Sequence, residues 1–171
     1  VIERLDGAGF AAAVDGLAGL FAEVVAQGAS LGFVTPFGRD EAAAWWRSRG
    51  AAVADGTLTV WVARGAGGAV DGTVGLERSP KPNGRHRAEI VKLMVRPAAR
   101  GRGLGRALLA AAEDAAVAEG RTLLLLDTET DSPAERLYAG AGWTRHGVVP
   151  AYAADPSGVL RDCSFFHKRI A

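Results

Sequence analysis

Between a β-rich run from Arg87 to Val95 and an apolar run from Leu123 to Leu126, the chain carries a basic, glycine-rich turn and one long apolar stripe. Leu104, Ala107, Leu108, Ala111, Ala115 and Ala118 recur at helical spacing, with Arg106, Glu113 and Glu119 elsewhere around the cylinder. That spacing predicts a helix of about four to five turns, closed by Gly120. Leu123-Leu124-Leu125-Leu126 follows at once, too short for a helix and suited to a strand covered on both faces. Strand, turn, helix and strand in this order make a parallel crossover unit, and few folds can be built around one.

The rest of the chain surrounds that unit. Phe10, Val14, Leu17, Phe21, Val24 and Val25 predict a first helix over residues 9 to 27, and Trp45, Trp46, Arg49 and Val53 a second from Asp40 to Asp55. Leu58, Val60 and Val62 alternate with Thr59 and Trp61, a strand with one face more buried, and a turn at Gly65 to Gly68 leads to Ala69–Leu76, so the pair reads as a β-hairpin. Ser132-Pro133-Ala134-Glu135 has the capping-box pattern and starts a short helix that ends near Gly140. Residues 143–149 and 162–170 form a final antiparallel pair joined around Asp155-Pro156-Ser157-Gly158. With 171 residues and 49% hydrophobic content, one domain over residues 1–171 is expected, with a sizeable core.

The turn Arg100-Gly101-Arg102-Gly103-Leu104-Gly105-Arg106 lies where a helix start offers bare N–H groups and the positive end of its dipole, an anion site. Arg96, Arg100, Arg102 and Arg106 strengthen a phosphate reading; solvated arginines beside a steric turn are the plainer one. The nucleoside-triphosphate loop needs Gly-Lys-Ser/Thr, which is absent. A dinucleotide fingerprint needs a third glycine at another spacing, although Asp127 lies near the required offset for its acid.

These motifs resemble the GNAT superfamily of N-acetyltransferases over residues 57 to 170. The likeness rests on Leu93-Met94-Val95-Arg96-Pro97, then Arg100 to Gly105, and later Ala134-Glu135-Arg136-Leu137-Tyr138 with Gly142-Trp143. Asp131 departs from the Asn many members carry near the pantetheine arm, and Trp143 from the commoner Phe. His86 to Val95 with Asp127-Thr128 is also similar to the tabtoxin-resistance acetyltransferases, which implies a role in antibiotic or toxin resistance. The resemblance implies an α/β (α+β) fold: a mixed, mostly antiparallel central sheet flanked by helices, around a β-α-β core that binds acetyl-CoA. It implies acetyl-CoA as cosubstrate, with its diphosphate on Arg100, Gly101, Arg102, Gly103, Leu104, Gly105 and Arg106. Its pantetheine arm would lie along the strand edge at Leu93, Met94 and Val95, with Asp131 nearby. An extended amide chain can join a strand edge as another strand would.

Direct attack by an amine on a thioester needs a neutral nucleophile and a proton for the leaving thiolate. The free amine has a pKa near ~10, so deprotonating it at neutral pH costs about 4 kcal/mol. The family's matching Tyr makes Tyr138 the candidate acid, against a plain reading as a packed helix residue. Glu89, a carboxylate inside a β-rich run, is a candidate base, directly or through water. Lys92 could pair with it, but their odd separation puts the two on opposite strand faces. Asp127, at the end of the apolar strand, is the alternative base or an orienting group. Asp127, Glu129 and Asp131 together predict a small cationic or amino-acid-like amine as acceptor; a solvated loop is the plainer reading. A non-catalytic acyl-CoA sensor is the alternative function.

Other classes are excluded or disfavoured. Twenty basic against nineteen acidic residues give a net charge of +1, with no global field for nucleic acid, and no aromatics interleave the basic residues. His86, His146 and His167 lack ligand spacing, so no metal is expected. Cys163 reads as packed rather than nucleophilic, and Gly-x-Ser-x-Gly is absent. No apolar run approaches the ~18 residues of a membrane span, so no membrane partner is expected. One cysteine and no leader at Val1 point to a cytoplasmic protein. The terminal strands offer a contact for a homodimer.

Overall fold

In the computed structural model, which describes residues 1–170, the crossover unit is the centre of a seven-stranded sheet. The strands are β1 (Ile2–Arg4), β2 (Leu58–Arg64), β3 (Val70–Arg78), β4 (Arg87–Val95), β5 (Leu123–Glu129), β6 (Thr144–Ala154) and β7 (Leu160–Arg169). Their spatial order is β1-β2-β3-β4-β5-β7-β6. Only β4 and β5 run parallel; every other pair is antiparallel. The helices are α1 (Gly7–Ala26), α2 (Arg39–Ser48), α3 (Gly50–Ala54), α4 (Leu104–Ala118) and α5 (Pro133–Gly140).

Apolar side chains divide between the two faces of this sheet. Leu58, Val60, Val62 and Met94 pack under α1 and α2, with Leu17, Leu20, Phe21 and Trp46. Trp61, Ala63, Leu76, Ile90, Leu124 and Leu126 pack under α4 and α5, with Leu108, Leu109 and Tyr138. β2 is therefore buried on both faces rather than mainly on one. By length and a mean hydropathy of 1.6, α1 is apolar enough to cross a membrane, which its interrupting glycines conceal; half of that window is buried in the core.

The helix expected over 40–55 is two. At Arg49 the N–H turns back to the Trp46 carbonyl, three residues away, and Gly50 then starts α3. The Arg49 side chain leaves the helix axis to bond Glu77 on β3. β1 was not foreseen, since three residues carry no periodicity; it pairs with β2 from Ile2↔Ala63 to Arg4↔Trp61. β5 continues past its apolar run to Glu129, and β6 continues to Ala154, with its register against β7 shifting twice.

The α5 capping pattern takes a modified form. Ser132 accepts from the Glu135 N–H at 3.2 Å, but Glu135 reaches back to the N–H of Asp131, at 2.6 Å, rather than to that of Ser132. Asp131 has φ +63, in the left-handed region that Asn and Asp tolerate best, so Asp meets the turn's conformational demand as Asn would. Trp143 in place of Phe brings an indole N–H, which donates to Glu113 at 2.7 Å; Lys168 holds the other oxygen of that carboxylate at 2.6 Å.

Candidate active site

The site begins where two parallel strands part. β4 pairs with β5 only from Arg87↔Leu123 to Glu89↔Leu125. On its other edge β4 stays with β3 as far as Gly72↔Val95. From Ile90 onward the β5-facing edge of β4 therefore has no strand beside it. Leu93, Met94 and Val95 lie on this edge, with Met94 buried toward α1 and the other two half-buried toward α4. Arg100 Nε donates to the Val95 carbonyl at 3.2 Å and closes the end of that edge.

The turn beyond is shaped by glycine. Gly101 and Gly103 have φ of +75 and +76, a conformation that costs other residues roughly 1–2 kcal/mol, and nothing stands within 4 Å of where a side chain would start. Gly103 is the N-cap of α4. It has no side chain to cap the helix, and the first turn holds no acid, so the N–H groups of Leu104, Gly105 and Arg106 face outward without a partner side chain. Gly105 answers a different need: a methyl group there would meet Leu137 at 3.3 Å and Val95 at 3.7 Å, where α4 packs on α5 and β4. Arg100, Arg102 and Arg106 are exposed around this cradle. Arg96 is not part of it. It turns to α1, bonding Glu23 and, at 3.0 Å, the Val70 carbonyl, and so ties β4 to the first helix. An uncapped helix start, open glycines and an unpaired strand edge fit a diphosphate followed by an extended amide chain.

The structure brings Tyr138, Glu89 and Asp127 to the parting of the strands. Tyr138 is buried between Trp143 and Phe166, each ring centre 6.1 Å away, and among the described residues its hydroxyl has no hydrogen-bond partner. Burial, and then the charge of Asp127, push its pKa up, so it stays protonated through the neutral range. Glu89 is open to solvent yet ringed by protein, and desolvation raises its pKa, reinforced by Asp127 and by Glu77, which lies directly opposite on β3. Asp127 is exposed, and its Oδ2 accepts from the Cys163 thiol at 3.4 Å. Cys163 is buried, and its own pKa is pushed up to about 12 by that burial and by Asp127, which leaves it a packed thiol.

One expectation needs correction. Lys92 lies on the same face as Glu89. Between Thr73↔Met94 and Gly75↔Val91, β4 holds one more residue than β3, a bulge at which Lys92 takes φ +51 and the alternation of faces slips by one. Of the acids Asp127, Glu129 and Asp131, the first two lie two residues apart on β5 and both raise the pKa of Cys163. Glu129 lies under the Arg161–Asp155 pair, with one carboxylate oxygen buried and unpartnered, while Asp131 lies in the turn before α5.

The acceptor side, expected from the first two helices and the loops around Leu31 to Phe37 and Val149 to Asp155 with no residue singled out, takes shape under α2. Trp45, Arg49, Leu58, Val60, Glu77, Val91 and Lys92 line a cavity of about 140 Å³ there. The α1–α2 loop reaches its wall through Leu31, whose carbonyl accepts from Lys92 Nζ at 2.8 Å. Thr35 pins that loop to the β6–β7 turn, its N–H and hydroxyl both donating to the Pro156 carbonyl at 2.8 Å. Glu77 joins it through its cross-strand pairing with Glu89, which no local pattern discloses.

A family model described as the acetyltransferase (GNAT) family matches residues 27–143. Among solved structures, a GCN5-related N-acetyltransferase from Kribbella flavida is 25% identical, with a TM-score of 0.78 over 99% of this chain and 98% of that one. A phosphinothricin acetyltransferase from Sinorhizobium meliloti, in complex with AcCoA, is 21% identical, with a TM-score of 0.79 over 100% and 88%. A ribosomal-protein-alanine N-acetyltransferase from Brucella melitensis is 24% identical, with a TM-score of 0.75 over 99% of each chain.

Proposed function

The chain belongs to the acetyltransferase (GNAT) family, and on that premise we propose that it moves an acetyl group from acetyl-CoA to the primary amine of a small acceptor by direct attack in a ternary complex. The observation that carries this reading is the parting of β4 from β5 after Glu89, which leaves one edge of β4 free between the bare start of α4 and the Tyr138 hydroxyl. Acetyl-CoA supplies the activated acetyl group. The amides at residues 101 to 106 hold its diphosphate, and the edge at Leu93 to Val95 takes its amide arm.

On the other side Glu89, directly or through a water, accepts the proton of the attacking amine. The N–C bond forms as the C–S bond breaks, and Tyr138 gives its proton to the departing thiolate, regaining one from solvent. Asp127 orients the amine from β5. The acceptor reaches these groups from the α2 side, where about 140 Å³ of space bounded by Trp45 and Val91 suits a compact molecule of amino-acid size. The sheet ends at β6, whose exposed Val148, Val149 and Tyr152 offer the edge for a homodimer, which sedimentation can check.

Acetyl-CoA consumption across a panel of small amines tests the activity. In Tyr138→Phe we expect kcat to fall by about a hundredfold or more while calorimetry shows unchanged acetyl-CoA binding. Undiminished turnover would remove Tyr138 as the acid. Because Glu89 titrates above the ordinary carboxylate range, the base form is lost as pH falls through that raised value. The acid limb of kcat/KM should therefore lie above that range and vanish in Glu89→Gln.

A further inference from the structure

Lys92 occupies an unusual place. It is a non-glycine residue at φ +51 inside a central strand, a strained conformation that persists where its surroundings enforce it. The bulge brings its side chain to the face that carries Glu77 and Glu89. Its ammonium is anchored to the Leu31 carbonyl at 2.8 Å and lies 5.1 Å from the centre of the Trp45 ring and 5.8 Å from that of Phe21. None of these partners is charged.

The charges around it come from every side of the cleft. β3 contributes Glu77, β4 Glu89, β5 Asp127 and the end of α2 Arg49; α1 faces it with the apolar Phe21. Arg49 is committed to Glu77 in an ion pair. Lys92 has no ion-pair partner among the described residues, so its field reaches the remaining carboxylates while its hydrogen bonds go elsewhere.

We propose that Lys92 is a positioning residue that keeps the carboxylates of the cleft ionised at a distance, leaving the oxygens of Glu89 free to take the proton of the incoming amine. A cation in direct contact would stabilise the carboxylate equally well but would occupy the atoms that must accept the proton. The carbonyl of Leu31 and the face of Trp45 prevent that contact by holding the ammonium back. The direction of the titration shifts agrees: Lys92 opposes the rise that burial, Asp127 and Glu77 impose on Glu89. Burial lowers the pKa of Lys92 itself, Asp127 raises it and Arg49 lowers it, so the cleft is electrostatically coupled as a whole. The inference rests on the acetyl-transfer reading only for its catalytic consequence.

The test compares wild type, Lys92→Met and Lys92→Arg by carbon-13 NMR titration of the glutamate carboxyls, with Glu89→Gln assigning the Glu89 signal, and by the pH profile of kcat/KM on an accepted amine. In Lys92→Met the Glu89 midpoint and the acid limb should both move up by about one pH unit, the shift expected from losing a nearby opposite charge. Lys92→Arg should restore both to within a few tenths of a unit. A Glu89 midpoint unmoved in folded Lys92→Met overturns the proposal; should that variant fail to fold, Lys92→Gln decides by the same criterion. If Glu89→Gln keeps the acid limb, Glu89 is not the base, while the NMR midpoint still decides whether Lys92 holds it ionised.

Discussion

At the α4 end of the cleft, most of what a ligand would meet is main chain: the N–H groups of Leu104 to Arg106, the open backbone at Gly101 and Gly103, and the free edge of β4. At the α2 end it is side chains, drawn from far apart in the chain: Trp45 and Arg49, Glu77, Glu89 and Lys92, and Asp127. A backbone site is assembled by consecutive residues and tolerates any side chain that does not block it. A side-chain site depends on which distant elements the fold brings together, and each member is held by its neighbours. Substitutions at the two ends should therefore fail in different ways.

The largest separation is expected from Gly103→Val. A β-branched residue cannot easily hold φ +76, and its side chain would project into the space left open for the ligand. A loss of about 3 kcal/mol, a hundredfold in acetyl-CoA affinity by calorimetry, is the expected outcome. The acceptor KM at saturating acetyl-CoA should hardly change. An equal rise in both would show that the two ends are one cooperative unit.

The same contrast explains what the sequence could and could not disclose. The cradle was legible because Arg100 to Arg106 are contiguous and because glycine and helix starts have fixed backbone consequences. Tyr138 became a candidate through the block that begins at Ala134, and the structure buries it beside Trp143 and Phe166. The face of Lys92 was not: parity along a strand predicts the opposite side, and the extra residue in β4 appears only when β3 is laid beside it. The break at Arg49 was not read either, although Gly50, a poor helix former, follows it directly. The cavity beneath α2 belongs to no local pattern at all.

A smaller effect, confined to the acceptor end, should follow from Trp45→Ala. Trp45 packs edge-on against Phe21 at 5.4 Å and Trp46 at 4.8 Å, and it backs the ammonium of Lys92. Removing it widens the cavity and withdraws a cation–π contact whose contribution is about 0.5–2 kcal/mol. The acceptor KM should rise about tenfold, with less discrimination between slim and bulky amines, while acetyl-CoA binding stays as in wild type. Thermal melting separates this from general destabilisation, which would lower both activities together.

The finest test is the tether at Thr35. Its hydroxyl and N–H both end on the Pro156 carbonyl, so Thr35→Val removes one of two bonds between the α1–α2 loop and the β6–β7 turn and leaves the backbone bond in place. A partly buried hydrogen bond of this kind contributes about 0.5–1.5 kcal/mol net. The loop it restrains carries the Leu31 carbonyl that anchors Lys92, so the loss should appear as a roughly threefold rise in acceptor KM. Thr35→Ser, which keeps the hydroxyl, should behave as wild type. Neither variant reaches the backbone cradle at Gly103, so acetyl-CoA affinity should be unchanged in both. A fall in that affinity with Thr35→Val would mean that the loop anchoring Lys92 also orders the nucleotide end, and the division between the two halves of the cleft would have to be abandoned.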